Sequence, residues 1–166
     1  PYGVWTVEHA YVAPQWQSTH DTHDDYAILQ LADRTRGGRR IGVQDVTGAN
    51  VLAVAPRPGQ RITDVAYNDD ANRPVTCTVP TYRTDGYPSF DCDDYLGGSS
   101  GSPWVATIPG THLRTVDGVI GGLHQGGCYS YTSYSSPFTP AVYATYARAV
   151  LGLHPDDVTA AGGDGC

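Results

Sequence analysis

The apolar positions of this chain fall in short runs separated by polar and turn-forming residues. Val4, Trp5, Val7, Ala10, Tyr11 and Val12 alternate imperfectly with polar neighbours until Pro14, a β-rich pattern that predicts a strand over 4–12. A polar stretch from Gln17 to Asp24 follows. The run Tyr26, Ala27, Ile28, Leu29, Gln30, Leu31 then predicts a buried strand, closed by a Gly- and Arg-rich turn over 34–40. Similar runs at 51–55, 61–67, 75–82, 103–108 and 113–123 predict further strands. One segment reads differently. Thr139 suits a cap, Pro140 suits a first helical position, Val142, Tyr143, Tyr146 and Val150 recur at helical spacing, and Gly152 suits a stop. A single C-terminal helix is therefore expected over 140–151. The tail over 160–165 is expected to be a flexible end unless Cys166 ties it down.

Composition narrows the class. With 166 residues, 20 Gly, 12 Pro and 12 Tyr, the chain suits one ordinary domain or two small packed barrels, and the expected class is all-β. A formal charge of −7 without a run of basic residues argues against nucleic acid as a partner. No apolar stretch approaches the roughly 18 residues of a membrane span, so no membrane partner is expected. Residue 1 is Pro and Met is absent, which reads as a processed or truncated product.

Four cysteines, Cys77, Cys92, Cys128 and Cys166, lack the close pairing of zinc sites and read as disulfides. The pairing expected among the three possible ones joins Cys77 to Cys92 across a hairpin and Cys128 to Cys166. Disulfides place maturation in an oxidising compartment, so the protein is expected to be secreted. No metal or cofactor is expected.

The candidate chemistry centres on Gly98-Ser99-Ser100-Gly101-Ser102-Pro103. A serine hydroxyl is a weak nucleophile at neutral pH, and a hydrolase must supply a base and amides that hold the oxyanion. Glycines beside Ser100 allow a tight loop that turns its amides towards one point. The plain alternative is a flexible Gly/Ser loop. The hexapeptide resembles the nucleophile motif of chymotrypsin/trypsin-like serine proteases, in the Gly-x-Ser-Gly-Ser-Pro form of bacterial glutamyl endopeptidases. The resemblance implies Ser100 as nucleophile and the backbone amides of Gly98 and Ser100 as oxyanion hole. Ser99 departs from the Asp or Asn usual before the nucleophile. Asp25-Tyr26-Ala27-Ile28-Leu29 resembles the family's strand start whose Asp orients the catalytic imidazole. It implies Asp25 in that role, with Asp24 in reserve. Val119-Ile120-Gly121-Gly122-Leu123-His124-Gln125-Gly126-Gly127 resembles the strand lining the substrate pocket. There, His124 would contact a substrate carboxylate and Tyr95 would add a hydroxyl. Asp94, six residues before Ser100, stands where trypsin-like members hold an acid for Arg or Lys; the expected preference is for Glu before the cleaved bond, with Arg or Lys as the alternative.

The family's base histidine belongs to a segment that this sequence does not contain: His9, His20 and His23 lie too near Asp25, and His112 and His154 sit in no motif. The resemblance implies an incomplete double β-barrel with a C-terminal helix, with 1–50 as the remaining strands of the N-terminal barrel and 51–166 as the C-terminal barrel and helix. The expected function is a secreted serine endopeptidase acting on protein or peptide substrates, its histidine supplied by an N-terminal fragment. Alone, the chain is expected to be inert and unstable. Two other readings stay open. Gly97-Gly98-Ser99-Ser100-Gly101 also fits the elbow of α/β-hydrolases with Ser99 as nucleophile, which needs a helix after the loop. A catalytically inactive binding module would use the Tyr-rich stretch 129–134 as its contact surface.

Overall fold

The computed structural model describes residues 2–158. Strand β1 (Val7–Val12) pairs antiparallel with β2 (Ala27–Leu31). Between them Pro14 opens a short helix, α1 (Pro14–Thr19), which His20 ends in a left-handed conformation, and a 3-10 turn (Thr22–Asp24) leads to Asp25. The Arg-rich segment read as a turn is a small hairpin, β3 (Arg34–Arg36) with β4 (Arg39–Ile41), followed by α2 (Val43–Thr47).

The rest of the chain builds two antiparallel-rich sheets. Strands β5 (Val51–Leu52), β6 (Arg61–Ala66), β7 (Val75–Pro80), β10 (Pro103–Thr107) and β11 (Arg114–Val119) form a sheet in the order β5-β11-β10-β6-β7. Strands β8 (Tyr82–Thr84), β9 (Tyr87–Asp91) and β12 (Thr132–Tyr134) form another, in the order β12-β9-β8. The run 75–82, expected as one strand, breaks at Thr81. Its buried hydroxyl and amide bond back to the 57–60 turn instead of to a strand. The run 113–123 also falls short, since β11 stops at Val119. Gly122 takes φ +76, and its amide is drawn off by Asp25, so the ladder cannot continue.

Ile62, Ala66, Phe90, Tyr95, Trp104, Ala106 and Ile120 fill the space between these sheets. Phe90 meets Trp104 and Tyr95 edge-on at 4.9 and 5.3 Å, and each such ring contributes about 2–3 kcal/mol by burial alone. Cys77 and Cys92 are bonded, as expected. The pair does not bridge a hairpin, however. It joins β7 in one sheet to the residue after β9 in the other, because β8 lies between them in the chain. Cys128 is not a free thiol, and its expected partner Cys166 lies outside the described residues.

The C-terminal helix α3 (Ala141–Val150) fastens the first hairpin to the second half. Val142 forms a buried cluster with Ala13, Tyr26 and Phe138, against which Val116 and Val119 of β11 pack. Arg148 donates to Asp156 at 2.6 Å and to the Val12 carbonyl at 3.1 Å, while Asp156 accepts the Val12 amide at 2.9 Å. The segment after the helix is thereby held along β1.

Candidate active site

The loop between Tyr95 and Ser102 is shaped by its own hydrogen bonds. Ser99 donates its amide to the Leu96 carbonyl, Gly101 to Ile120, and Ser102 to Ser99, at 2.8–3.2 Å. No hydrogen bond among the described residues takes up the amides of Gly98 and Ser100. These are the donors that an oxyanion site requires. Gly98 has φ +90, and a Cβ there would stand 2.5 Å from the Asp69 backbone nitrogen, so the position admits glycine alone. The turn after β6 holds the loop from outside. Asn68 donates to the Asp94 carbonyl at 2.8 Å and accepts the Leu96 amide at 3.0 Å, and the Asp69 amide donates to Gly97 at 2.7 Å.

Ser100 is exposed and lines two cavities at once. The first, about 540 Å³, has Asp25 on its wall, with Trp16, Tyr26, Leu29, Ile120 and Gly121 among the lining residues. Asp25 accepts the Gly122 amide at 2.9 Å through Oδ2, and its carbonyl accepts Ser136 Oγ at 3.0 Å. Gly121 lies flat against it: a Cβ there would stand 3.3 Å from Oδ2. Among the described residues, no histidine lines this cavity. His23 is engaged elsewhere, with Nδ1 3.0 Å from both Asp21 Oδ1 and the Tyr87 hydroxyl. Asp24, the reserve acid, does not line the cavity either, and burial raises its carboxyl above the usual range.

The second cavity, about 350 Å³, extends from Ser100 to His124, Cys128, Tyr129, Thr132 and Ser133. His124 reaches it from a tight turn after β11 with φ 50, rather than from the strand itself. Thr132 Oγ1 donates to Asp91 at 2.8 Å, as the Tyr82 hydroxyl does at 2.6 Å. Tyr95 forms part of the wall, but its hydroxyl turns into the core and donates to the Asp64 carbonyl at 3.3 Å. Asp94 is exposed and lines neither cavity.

The structure therefore places Ser100, Asp25, His124 and the Gly98 loop around one junction. It sets Asp94 outside and aims the Tyr95 hydroxyl away. Ser99 is buried and strand β10 follows the loop, so the hydrolase-elbow alternative lacks its helix. Gly122, Ser136 and Asn68 were not foreseen. Gly122 acts through its own amide, and Ser136 and Asn68 act through side chains that bond the backbone of other residues; no residue pattern marks such contacts.

No family model matches the chain, and no curated protein matches it. Solved structures do. The protease Anisep of Arthrobacter nicotinovorans is similar with a TM-score of 0.70 at 22% identity, over 91% of this chain and 69% of that one. A Glu endopeptidase is similar with a TM-score of 0.60 at 17% identity, over 89% of this chain and 66% of that one. The chain spans about two-thirds of the length of each. The likeness shows the fold: the expected chymotrypsin-like, mostly-β architecture with a C-terminal helix. No closed ring of strands forms among the described residues.

Proposed function

We propose that the chain is the greater part of a secreted serine endopeptidase, with residues 1–50 as the remnant of a first barrel and 51–166 as the second barrel and helix. Ser100 is the nucleophile, and the observation that carries the reading is its position where two cavities meet, beside two uncommitted amides. In this account the first cavity receives an imidazole from a segment upstream of residue 1. That ring takes the Ser100 proton as Oγ bonds to the substrate carbonyl carbon, and Asp25 orients it and stabilises the resulting imidazolium. The carbonyl electrons move to oxygen, where the amides of Gly98 and Ser100 hold the charge. Collapse expels the amine, which leaves with the proton from the imidazolium, and water releases the acyl group by the same steps in reverse.

The second cavity is assigned to the residue before the cleaved bond. His124 on its wall suits an acidic side chain, to which an imidazole donates or, when protonated, pairs. A Glu preference is favoured over Arg or Lys, since Asp94 lies off the cavity. Secretion is supported by the Cys77–Cys92 disulfide, and no helix of the described residues is long and apolar enough to cross a membrane.

A peptide panel tests the proposal on the protein with its upstream segment in place. Cleavage after Glu, lost in His124→Ala while Ser100 still labels, is the expected result. Cleavage after Arg in place of Glu would move the specificity role to Asp94, and cleavage of no peptide would overturn the peptidase.

A further inference from the structure

The loop that carries Ser100 is fastened at both ends to one residue of β6. Asp64 is fully buried. Its carboxylate oxygens accept Ser102 Oγ at 3.0 and 3.1 Å, and its carbonyl accepts the Tyr95 hydroxyl at 3.3 Å. Thr76 Oγ1 reaches the same carbonyl at 3.1 Å. Within the sheet Asp64 stands opposite Trp104 on one side and Cys77 on the other, in surroundings where an apolar side chain would cost far less. The two residues it grips, Tyr95 and Ser102, bracket Gly98 and Ser100. A buried carboxyl at that point has one evident use.

We propose that Asp64 is a positioning residue for the nucleophile loop, fixing Ser102 and Tyr95 and through them the direction of the Gly98 and Ser100 amides. Its effect on chemistry rests on the peptidase reading; the clamp itself does not. Burial pushes the Asp64 carboxyl up to about 7, with the Ser102 and Tyr95 hydroxyls working against the rise. The groups that face it are few: the Tyr95 hydroxyl from the loop, itself held above its ordinary range by burial and by Asp64, Ser102 and the neutral Trp104 indole, and the non-titrating disulfide at Cys77. No cationic side chain among the described residues acts on it. Asp64 thus changes charge near neutrality. The ionised form takes the Ser102 hydroxyl in a charge-assisted hydrogen bond and tightens the clamp, whereas the neutral form holds it weakly.

Two readouts on the protein with its upstream segment decide the matter. The acid limb of log(kcat/KM) against pH should steepen from a slope of 1 to about 1.5 around the Asp64 midpoint, a full proton from the base imidazole and a tenfold loss from Asp64. Asp64→Asn, which keeps an acceptor for Ser102, should return the slope to 1 and lower kcat about tenfold at unchanged KM. A limb with the same slope in both proteins overturns the proposal. The second readout needs no turnover. In the unaltered chain, the 13C carboxyl resonance of Asp64 should titrate near 7, and the amide resonances of Gly98 and Ser100 should shift with the same midpoint. Loop amides that ignore the Asp64 titration, wherever its midpoint falls, refute the clamp even if Asp64→Asn fails to fold. Amides that follow Asp64 in a protein that cleaves nothing would uphold the clamp and sink the peptidase reading instead.

Discussion

Replacing Gly98 by Ala separates the steric demands of the nucleophile loop from general instability. At φ +90 an added Cβ would stand 2.5 Å from both Asp69 N and Asp69 Oδ1 and 3.0 Å from the Asn68 carbonyl carbon. Two of those three atoms are backbone, so the loop must move rather than a side chain yield. A non-glycine residue in this conformation costs about 1–2 kcal/mol in strain. The displacement also swings the Gly98 amide, and loss of one oxyanion donor raises the barrier by about 3–4 kcal/mol, or 10²–10³ in kcat. Gly101 supplies the control. It has φ +81 and nothing within 4 Å of its would-be Cβ, so Gly101→Ala bears the strain without the collision. Steady-state kinetics of the complete protein, alongside thermal melts of both variants, give the comparison. The expected outcome is a melting temperature lower in Gly98→Ala by the added collision, with both variants folded at the assay temperature, and kcat at least tenfold lower in Gly98→Ala than in Gly101→Ala. Equal kcat in the two variants would refute the assignment of the Gly98 amide.

Further outcomes are expected. Cys77→Ser with Cys92→Ser opens a loop with a sequence separation of 15 and should lower stability by about 3 kcal/mol, read as a fall in the denaturant midpoint; a shift below 1 kcal/mol would contradict the linking of the two sheets. Asp25→Asn should cut kcat by about 10⁴ with little change in KM, as expected for loss of the acid that orients an imidazole, and a loss under tenfold would remove Asp25 from the role. The Arg148 hydrogen bond holds the Asp156 carboxyl below its usual 3.8. Its contribution is present above pH 4 and lost as pH falls through the lowered folded value, so Asp156→Asn should cost about 1 kcal/mol at pH 7 and nothing at pH 2. An equal cost at both pH values would argue against the ion pair.

Much of the second half was legible because its strands alternate and end on turn residues. β6 and β10 lie within a residue or two of their predicted bounds, as does β2 in the first half, and α3 follows its Pro140 start and Gly152 stop. Strand β9 was not read. It contains Pro88 and is buried at four of five positions, so it shows neither alternation nor strand-like composition. Strand β12 hides in a Ser/Tyr-rich stretch for the same reason, since small polar residues such as Ser133, Ser135 and Ser136 are buried there. In the site, side-chain chemistry was visible at Ser100, Asp25 and His124. The supports were not: Asp64 looks like any strand-borne Asp, and its function is set by the burial that the sheets create around it.

In the proposed function Ser100 is a nucleophile completed by an imidazole from an upstream segment. Fluorophosphonate labelling followed by peptide mapping tests it most directly. The expected result is negligible labelling of the isolated chain, and rapid, single-site labelling at Ser100 once the upstream segment is present, abolished in Ser100→Ala. Strong labelling of the isolated chain, or none of the complete protein, would contradict it.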